Sequence, residues 1–472
     1  MADKAMIAEA IDIEKLMRKA SHEAEKASKL TPVFLHRDSF AGTAISTGSL
    51  CLDWKMGGGI PPGRIVGISG PERSGKTLLV TQILYNQVRN KMFGTLHDAE
   101  GSTDPLFLQA RGINFNKFRG KRDKAGNLRP DEVDYFNMYQ PTTVEELTNY
   151  IHTMSSLLPE NRNPSKPVCI HVLDSVVALI TDALDEDIDA NKMAFHARMY
   201  AQYLPIINSD LVKSGCTLLY TNQLRQRPGV AYGPTSYEPA GDALKFFSSI
   251  RLMLSTTKPK LLEQDHPFLD TDMIPTVKPS AGGIWEEPHV TENGEVIGVD
   301  KYMYTGIKTV KNKVYTPYQS CWVRIQFEEN GSTGRGLDPV FDIFTFLYET
   351  GYIKPCMVTN ENTGKEKRAK GVYAANVCKQ FDPVKEFKLP ETFDYYQFKK
   401  WVVSNPDLTE QLRDRLLISG LVYEKDDREE KEGLLEGVTE EELEEQALAE
   451  VEKGLSDIAS DPVKKRGRPK KD

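Results

Sequence analysis

The sequence lacks the features that would send a protein into or across a membrane. No stretch of its 472 residues approaches the roughly 20 consecutive apolar positions that a membrane helix needs. Its first residues, MADKAMIAEAIDIEKLMRKA, contain neither the apolar centre nor the cleavage site of a signal peptide. Cysteine is also scarce: the six cysteines form no CxxC pair, so their spacing predicts neither a zinc site nor a disulfide framework. We therefore expect a cytoplasmic protein without a membrane partner.

Negative charge is concentrated in one segment. Residues 424–452 contain 14 acidic and three basic residues, a net charge of −11 within a total of −8. The rest of the chain therefore carries about +3. This asymmetry indicates a mildly basic body with an acidic interaction tail, and it leaves a nucleic-acid partner open.

The chain alternates between strand-like apolar runs and helical patterns from residue 45 to 335. This alternation is typical of an α/β fold with a mainly parallel twisted sheet and flanking helices. The strand candidates are residues 64–69, 93–98, 168–174, 216–222 and 249–254. Residues 119–132 and the proline-rich 258–300 have the composition of insertions or flexible loops.

The two ends of the chain have their own patterns. Residues 1–44 are predicted to contain an N-terminal helix, and residues 336–423 to form a small α+β domain. Residues 424–472 have too few apolar side chains to fold alone and are predicted to be disordered. They end in KKRGRPKK, a basic tip that resembles an AT-hook; the alternative is a solvated basic end that neutralises the acidic run.

A phosphate-binding motif lies between a strand candidate and a helical pattern. The pattern GxxxxGK[ST] is met by Gly70, Pro71, Glu72, Arg73, Ser74, Gly75, Lys76 and Thr77. Glycines allow the backbone N–H groups to face phosphates, and the following helix presents its N-terminus. Lys76 is expected to neutralise the terminal phosphates of ATP, and Thr77 to ligate Mg²⁺.

Three further polar residues follow strand candidates. Asp174 ends the apolar run VCIHVLD and is a second candidate ligand for Mg²⁺; the alternative is a helix cap. Glu100 follows FGTLHDA and is a candidate base for water, or else a solvated loop residue. Gln223 follows CTLLYTN and could bind the γ-phosphate, although chemistry alone leaves its role open.

These motifs, in this order, resemble bacterial RecA recombinases. The matching segments are residues 45–77, DAEGSTDP (98–105), LDSVVAL (173–179), HARMYAQ (196–202), TNQLRQRPGVAYG (221–233), GDALKFFSSIRL (241–252) and TVKNKVYTP (309–317). The resemblance is strong over about 45–330 and weaker over 338–420. It implies a RecA-type P-loop ATPase core, with residues 1–44 also linking protomers. Its divergence is consistent with a viral member of the family, and then with a host cytoplasm.

The resemblance assigns roles around ATP. It implies that Glu100 activates the attacking water and that Gln223 senses the γ-phosphate. Asp104 and Phe107 match residues that contact adenine. Lys311 and Lys313 match lysines that a neighbouring subunit inserts into the ATP site, so that ATP lies between the protomers of a helical filament. Without the resemblance, KNK is only a basic turn.

The resemblance also implies two DNA-binding loops. The first, about 183–194, leads into Arg198 and contains Met193. The second, 224–241, carries Arg225, Arg227, Val230 and Tyr232 among glycine and proline. Cations bind phosphates and aromatic or apolar tips contact bases without reading sequence. Arg73, Pro228 and the acidic residues of the first loop depart from the family pattern.

The resemblance implies a DNA-dependent ATPase that binds single-stranded DNA, searches duplex DNA for homology and catalyses strand exchange in repair. Single-strand-binding and loader proteins are expected partners. One alternative is a hexameric helicase motor on the same fold, which would share Lys76, Glu100 and Asp174. The other is a nonhydrolytic, ATP-gated DNA-binding scaffold, against which the intact ATP-site residues argue.

Overall fold

The computed structural model describes most of the chain between residues 44 and 416. The described ranges are 44–110, 113–121, 134–158, 168–180, 192–226, 236–256, 284–290, 296–329, 332–359, 366–375, 386–405, 407–413 and 415–416. The expected N-terminal helix, the acidic tail and its AT-hook-like tip lie outside these residues.

A ten-stranded sheet forms the centre of the fold. Its strands are β1 (Ile65–Gly70), β2 (Phe93–Asp98), β3 (Phe136–Tyr139), β4 (Cys169–Asp174), β5 (Thr217–Gln223), β8 (Ile250–Thr256), β9 (Trp285–Val290), β10 (Val296–Asn312), β11 (Ser320–Glu329) and β12 (Ser332–Leu337). They follow the order β12-β11-β10-β8-β1-β5-β4-β2-β3, with β9 paired to β10. The pairs from β8 to β3 are parallel, whereas β9 to β12 add an antiparallel extension.

Helices connect and cover these strands. They are α1 (Leu50–Met56), α2 (Lys76–Arg89), α3 (Pro105–Ala110), α4 (Val144–Leu157), α5 (Lys192–Ser214) and α6 (Asp242–Phe247). Helix α4 begins with a capping box, in which Thr143 and Glu146 satisfy each other's backbone N–H groups. No helix within the described ranges is both long and apolar enough to cross a bilayer.

The parallel strands are apolar because both of their faces are covered. Every residue of β1 and β4 is buried. Such continuous burial is what α/β sheets with helices on both faces require, and it explains why these strands appear in the sequence as mostly apolar runs. The alternation of strands and helices thus places the carboxyl ends of β1, β2, β4 and β5 at one edge of the sheet.

Two smaller sheets lie outside the central one. A short hairpin joins β6 (Arg225–Gln226) to β7 (Ser236–Tyr237). After the large sheet come α7 (Pro339–Glu349), β13 (Ile353–Thr359), β14 (Glu366–Ala375), β15 (Thr392–Phe393) and α8 (Tyr395–Ser404). The last three strands form an antiparallel sheet, and Phe344 of α7 packs edge-to-face on Tyr373 and Tyr395.

The expected α/β architecture with a mainly parallel sheet is confirmed. All five strand candidates form strands whose ends lie within two residues of the predicted ones. The segment 258–300 differs from the expectation, because its described part pairs as β9 and the beginning of β10 rather than forming a loop. Residues 122–132 of the first expected insertion, and residues 258–283 and 291–295 of the second, lie outside the described ranges.

Candidate functional site

The phosphate-binding motif forms the turn between β1 and α2. Gly75 precedes the helix with φ +87°, a left-handed conformation that glycine adopts at little cost. No side chain caps this end of α2, so the N–H groups of its first turn remain directed out of the helix. A helix N-terminus with such groups attracts anions. The geometry of the loop is therefore compatible with a bound phosphate chain.

Lys76 lies inside this turn rather than on the surface. Its side chain is largely buried, and its Nζ donates hydrogen bonds to the carbonyl oxygens of Gly70 (3.0 Å) and Pro71 (2.7 Å). Burial lowers the pKa of the ammonium, and the nearby carboxylates of Asp174 and Glu100 oppose this effect. The positive charge is thus held among the loop's backbone groups, where it can neutralise phosphate oxygens.

Thr77 and Asp174 meet at the adjacent strand end. Thr77 Oγ1 donates a hydrogen bond to Asp174 Oδ2 at 2.6 Å, and Thr221 Oγ1 donates to Asp174 Oδ1. Asp174 is almost fully buried, and burial raises the pKa of its carboxyl group. The negative charges of Glu100 and Asp98 raise this pKa further. A hydroxyl and a carboxylate oxygen in this crowded anionic environment fit the oxygen ligands that Mg²⁺ prefers.

Glu100 lies within reach of two polar side chains. Ser175 Oγ donates a hydrogen bond to Glu100 Oε1, and Gln223 Nε2 donates to the same oxygen at 3.4 Å. The backbone N–H of Glu100 also bonds to the carbonyl oxygen of Asp174 at 3.3 Å. Ser175 has no role predicted from the sequence, although its position directly after Asp174 puts it at the same edge of the sheet.

Strand register explains why these distant residues meet. Gly70 of β1 pairs with Gln223 of β5, and Asp98 of β2 pairs with Asp174 of β4. Leu224 N then donates to the carbonyl oxygen of Gly70 at 3.1 Å. The segment that enters the β6–β7 hairpin is therefore bonded directly to the first residue of the phosphate loop.

The loop after β2 is shaped by its own carboxylates. Asp98 accepts hydrogen bonds from the N–H groups of Ser102 (3.3 Å) and Thr103 (2.9 Å). Asp104 is exposed and accepts from Leu106 N at 2.8 Å, at the start of α3. Next to this helix lies a cavity of about 240 Å³. It is lined by Thr103, Pro105, Leu108 and residues of β2 and β3. The side chain of Phe107 lies outside the described residues.

The described DNA-binding candidates lie near the hairpin. Arg225 is exposed at the base of the hairpin, where it pairs with Tyr237. Burial lowers the pKa of His196 on α5, and the positive charge of Arg225 lowers it further. Arg198 is exposed on the same helix. The side chain of Met193, together with Arg227, Val230 and Tyr232, lies outside the described residues.

Lys311 and Lys313 lie far from the phosphate loop of their own chain. Lys311 is paired with Arg251, which is itself paired with Gly67, and Lys313 N bonds to Ser249 O at 3.0 Å. Lys313 thus lies level with the amino end of β1 and Lys311 level with Gly67 in its first half, whereas the phosphate loop follows the carboxyl end of β1. Lys311 Nζ donates to the carbonyl oxygens of Lys245 (2.6 Å) and Phe246 (3.0 Å) at the end of α6.

This parallel sheet, with a phosphate loop and the buried Asp174 at its carboxyl edge, has the architecture of a P-loop ATPase of the α/β class. The family profile of the RecA N-terminal domain matches residues 16–128 and 152–278. The RecA protein of Thermus thermophilus is 30% identical over 312 residues, which are 66% of this chain and 73% of that protein. RecA of Trichodesmium erythraeum is 30% identical over 311 residues, 66% of this chain and 68% of that protein. The chain belongs to the RecA family.

One solved structure, of a RadB recombinase, aligns over 62% of this chain and 98% of its own with 18% sequence identity. Its TM-score is 0.37, so it adds nothing to the assignment.

Proposed function

We propose that this protein is an ATP-dependent DNA recombinase that forms helical filaments on single-stranded DNA and catalyses strand exchange with homologous duplex DNA. The observation that carries the proposal is the contact between Glu100 and Gln223, because it links a water-activating carboxylate to the hairpin that begins at Arg225. Membership of the RecA family supports a recombinase-type function.

ATP with Mg²⁺ is the proposed cofactor. Bound Mg²⁺ would screen the phosphate charge. The backbone from Gly70 to Thr77 would bind the phosphates, and Thr77 and Asp174 would hold the metal ion. Glu100 would accept a proton from the attacking water through the oxygen that Ser175 and Gln223 already contact. Asp104 and Phe107 are the proposed contacts to adenine.

The active ATP site is proposed to form between two copies of the chain. In their own chain, Lys311 and Lys313 lie toward the amino end of β1, away from the phosphate loop, and Lys311 Nζ is bonded to carbonyl oxygens at the end of α6. A neighbouring chain could place them beside the γ-phosphate, where two ammonium groups would stabilise the charge that develops during hydrolysis. To do so, Lys311 would exchange its carbonyl partners on α6 for phosphate oxygens.

DNA is proposed to bind along α5 and the β6–β7 hairpin. Arg198 and Arg225 are both exposed there, and Arg227, Val230, Tyr232 and Met193 are the further candidates on the two loops. Arginines would bind phosphates and the apolar and aromatic side chains would contact bases, which gives binding without sequence selection. Sequence selection would then come from base pairing with the duplex. Single-strand-binding and loader proteins are further proposed partners.

A joint-molecule assay tests the proposal. The full chain is incubated with circular single-stranded DNA and a linear duplex, homologous or not, with ATP and Mg²⁺ or without ATP. We expect joint molecules only with the homologous duplex and ATP, and helical filaments by electron microscopy. Closed six-membered rings that unwind duplexes would support the helicase alternative. DNA binding without any ATP turnover would support the scaffold.

A further inference from the structure

Three potential metal ligands come together at the amino edge of the central sheet. Cys169, His171 and Cys216 are all buried, and their ligand atoms lie within 4.8 Å of one another. Ile170 of β4 pairs with Thr217 of β5, so the residues that precede them, Cys169 and Cys216, are side by side. His171 is two positions beyond Cys169 and therefore points to the same face of the sheet.

A neighbouring threonine fixes the orientation of the His171 ring. Thr95 Oγ1 lies 2.7 Å from His171 Nδ1 and 3.1 Å from His97 Nε2. A threonine hydroxyl has one hydrogen, so it donates to one of these rings and accepts from the other. When it donates to His97, it accepts from Nδ1–H of His171, and the lone pair of His171 Nε2 then faces Cys169 Sγ at 3.6 Å. Metal-binding histidines are commonly oriented in this way, through their other ring nitrogen.

The ligand set and its surroundings select the kind of ion. Thiolates and a neutral imidazole are ligands of Zn²⁺, whereas Mg²⁺ and Ca²⁺ prefer oxygen. The cluster lies in an apolar core that includes Ile65, Leu147 and Leu211. A buried site is least costly when its charges cancel, and two thiolates with one Zn²⁺ and a neutral histidine sum to zero. A monovalent copper ion would leave a buried negative charge.

We propose that Cys169, His171 and Cys216 bind one Zn²⁺ ion, with water in the fourth tetrahedral position. Binding releases the two thiol protons to solvent and involves no redox change. Cys169 begins β4 and Asp174 ends it, so about 17 Å separate this site from the ATP site at 3.3 Å per residue. The zinc site would tie β4 to β5 at a distance from the ATP site, and it stands independently of the proposed function.

Metal titration of the full chain tests the proposal. The protein is purified under reducing conditions, stripped with a chelator, and titrated first with Co²⁺ and then with Zn²⁺. We expect thiolate-to-cobalt absorption that saturates at one ion per chain and disappears when Zn²⁺ displaces the cobalt. Cys169→Ser and Cys216→Ser should each weaken Zn²⁺ binding by at least about 100-fold. Thr95→Val, which removes the support of His171, should weaken it by about 10–100-fold.

Cys51→Ser and Cys321→Ser are the matched controls, because both cysteines are also buried but lie outside the cluster. They should bind Zn²⁺ as the unaltered protein does. If the cluster variants do not fold, cysteine alkylation of the unaltered protein still tests the proposal. In mild denaturant, Zn²⁺ should slow alkylation of Cys169 and Cys216 at least about tenfold while leaving Cys356 unchanged. Absent cobalt–thiolate absorption, equally weakened binding in the controls, or a Cys169–Cys216 disulfide that persists after purification under reducing conditions would each overturn the proposal.

Discussion

Gln223 Nε2 donates a hydrogen bond to Glu100 Oε1 across 3.4 Å, and Gln223 is also the last residue of β5 before the hairpin that starts at Arg225. One amide thus contacts the proposed catalytic carboxylate and borders the proposed DNA site. Gln223→Ala should retain ATP binding and lose most of the stimulation of hydrolysis by single-stranded DNA.

Steady-state ATPase rates with and without an oligothymidine measure this coupling. Gln82→Ala is the control, because that amide bonds to Asn86 within the same helix. Full DNA stimulation of the Gln223→Ala variant would contradict the coupling role.

Glu100→Gln should bind ATP normally and hydrolyse it far more slowly. The amide keeps the size of the side chain and can still meet Ser175 and Gln223, but it cannot accept a proton from water. General-base catalysis typically contributes about 10²–10⁴-fold, and we expect a decrease of this size in kcat with DNA present. Glu410→Gln, at an exposed helical position, controls for the substitution itself. Unchanged turnover would remove Glu100 from the mechanism.

A mixing experiment tests whether two chains share the ATP site. Lys311→Ala combined with Lys313→Ala should remove DNA-stimulated hydrolysis, as should Lys76→Ala alone. A mixture of the two proteins should recover part of the activity, because some interfaces pair an intact phosphate loop with intact lysines. Lys308→Ala, exposed on the same strand, should remain active by itself. No recovery at any mixing ratio would indicate that the lysines do not act on a neighbour.

Arg225→Ala combined with Arg227→Ala should weaken binding to single-stranded DNA and reduce its dependence on salt. For each phosphate that the protein no longer neutralises, the slope of log affinity against log salt concentration should flatten by about 0.7, because fewer counterions are released. Fluorescence anisotropy at several salt concentrations measures both quantities. The exposed Arg89→Ala on α2 is the control. A lower affinity with an unchanged slope would mean that the arginines support the loop without binding phosphates.

A buried carboxyl group makes stability depend on pH. Asp53 accepts hydrogen bonds from Ser46 Oγ (2.6 Å), Thr47 N (2.8 Å) and Thr47 Oγ1 (2.7 Å). Burial nevertheless raises its pKa to about 7, although these bonds and the charge of Arg413 lower it. Between about pH 4 and 7 the folded protein therefore holds a proton that the unfolded chain has released. The free energy of unfolding falls as pH rises through this window.

Asp53→Asn removes this titration and keeps the shape of the side chain. From pH 5 to pH 8 the unaltered protein should lose on the order of 1–3 kcal/mol more stability than the variant does. Denaturant unfolding at the two pH values provides the comparison. Parallel decreases in both proteins would show that Asp53 titrates alike in the folded and unfolded states.

Local chemistry made part of this structure predictable. Short sequence patterns of a few neighbouring residues were enough to predict the phosphate loop, the mostly apolar β4 and the position of Asp174 at its end. Contacts set by strand register have no such pattern: the bonds from Ser175 to Glu100 and from Thr221 to Asp174 depend on which strands are neighbours. The same holds for Cys169 and Cys216, which are distant in sequence and meet only because β4 lies beside β5.

The short β3 and the strands β9 to β12 were not predicted, for a related reason. β3 has only four residues at the edge of the sheet, and β9 follows a proline-rich segment that has the composition of a loop. At the end of β10, a role was predicted for a residue but the contacts of its side chain were not. The resemblance assigned Lys311 to a neighbour's ATP site, and the contact of its ammonium with the carbonyl end of α6 could not be predicted from the sequence.

The phosphate loop follows the carboxyl end of β1, whereas Lys311 and Lys313 lie toward its amino end, and this separation bears on how chains would assemble if they used both. A two-fold dimer could join the two sites only if the phosphate loop and the lysines lay on one shared surface of the chain, whereas a head-to-tail interface joins one edge of the sheet to the other edge of the next chain. In the helical filament proposed above, the interface would be head-to-tail, with each chain giving lysines on one side and receiving them on the other. Such an interface repeats along the assembly and gives it a polarity, which a strand of DNA also has. At one end of an open assembly, the last phosphate loop would then have no lysines to receive.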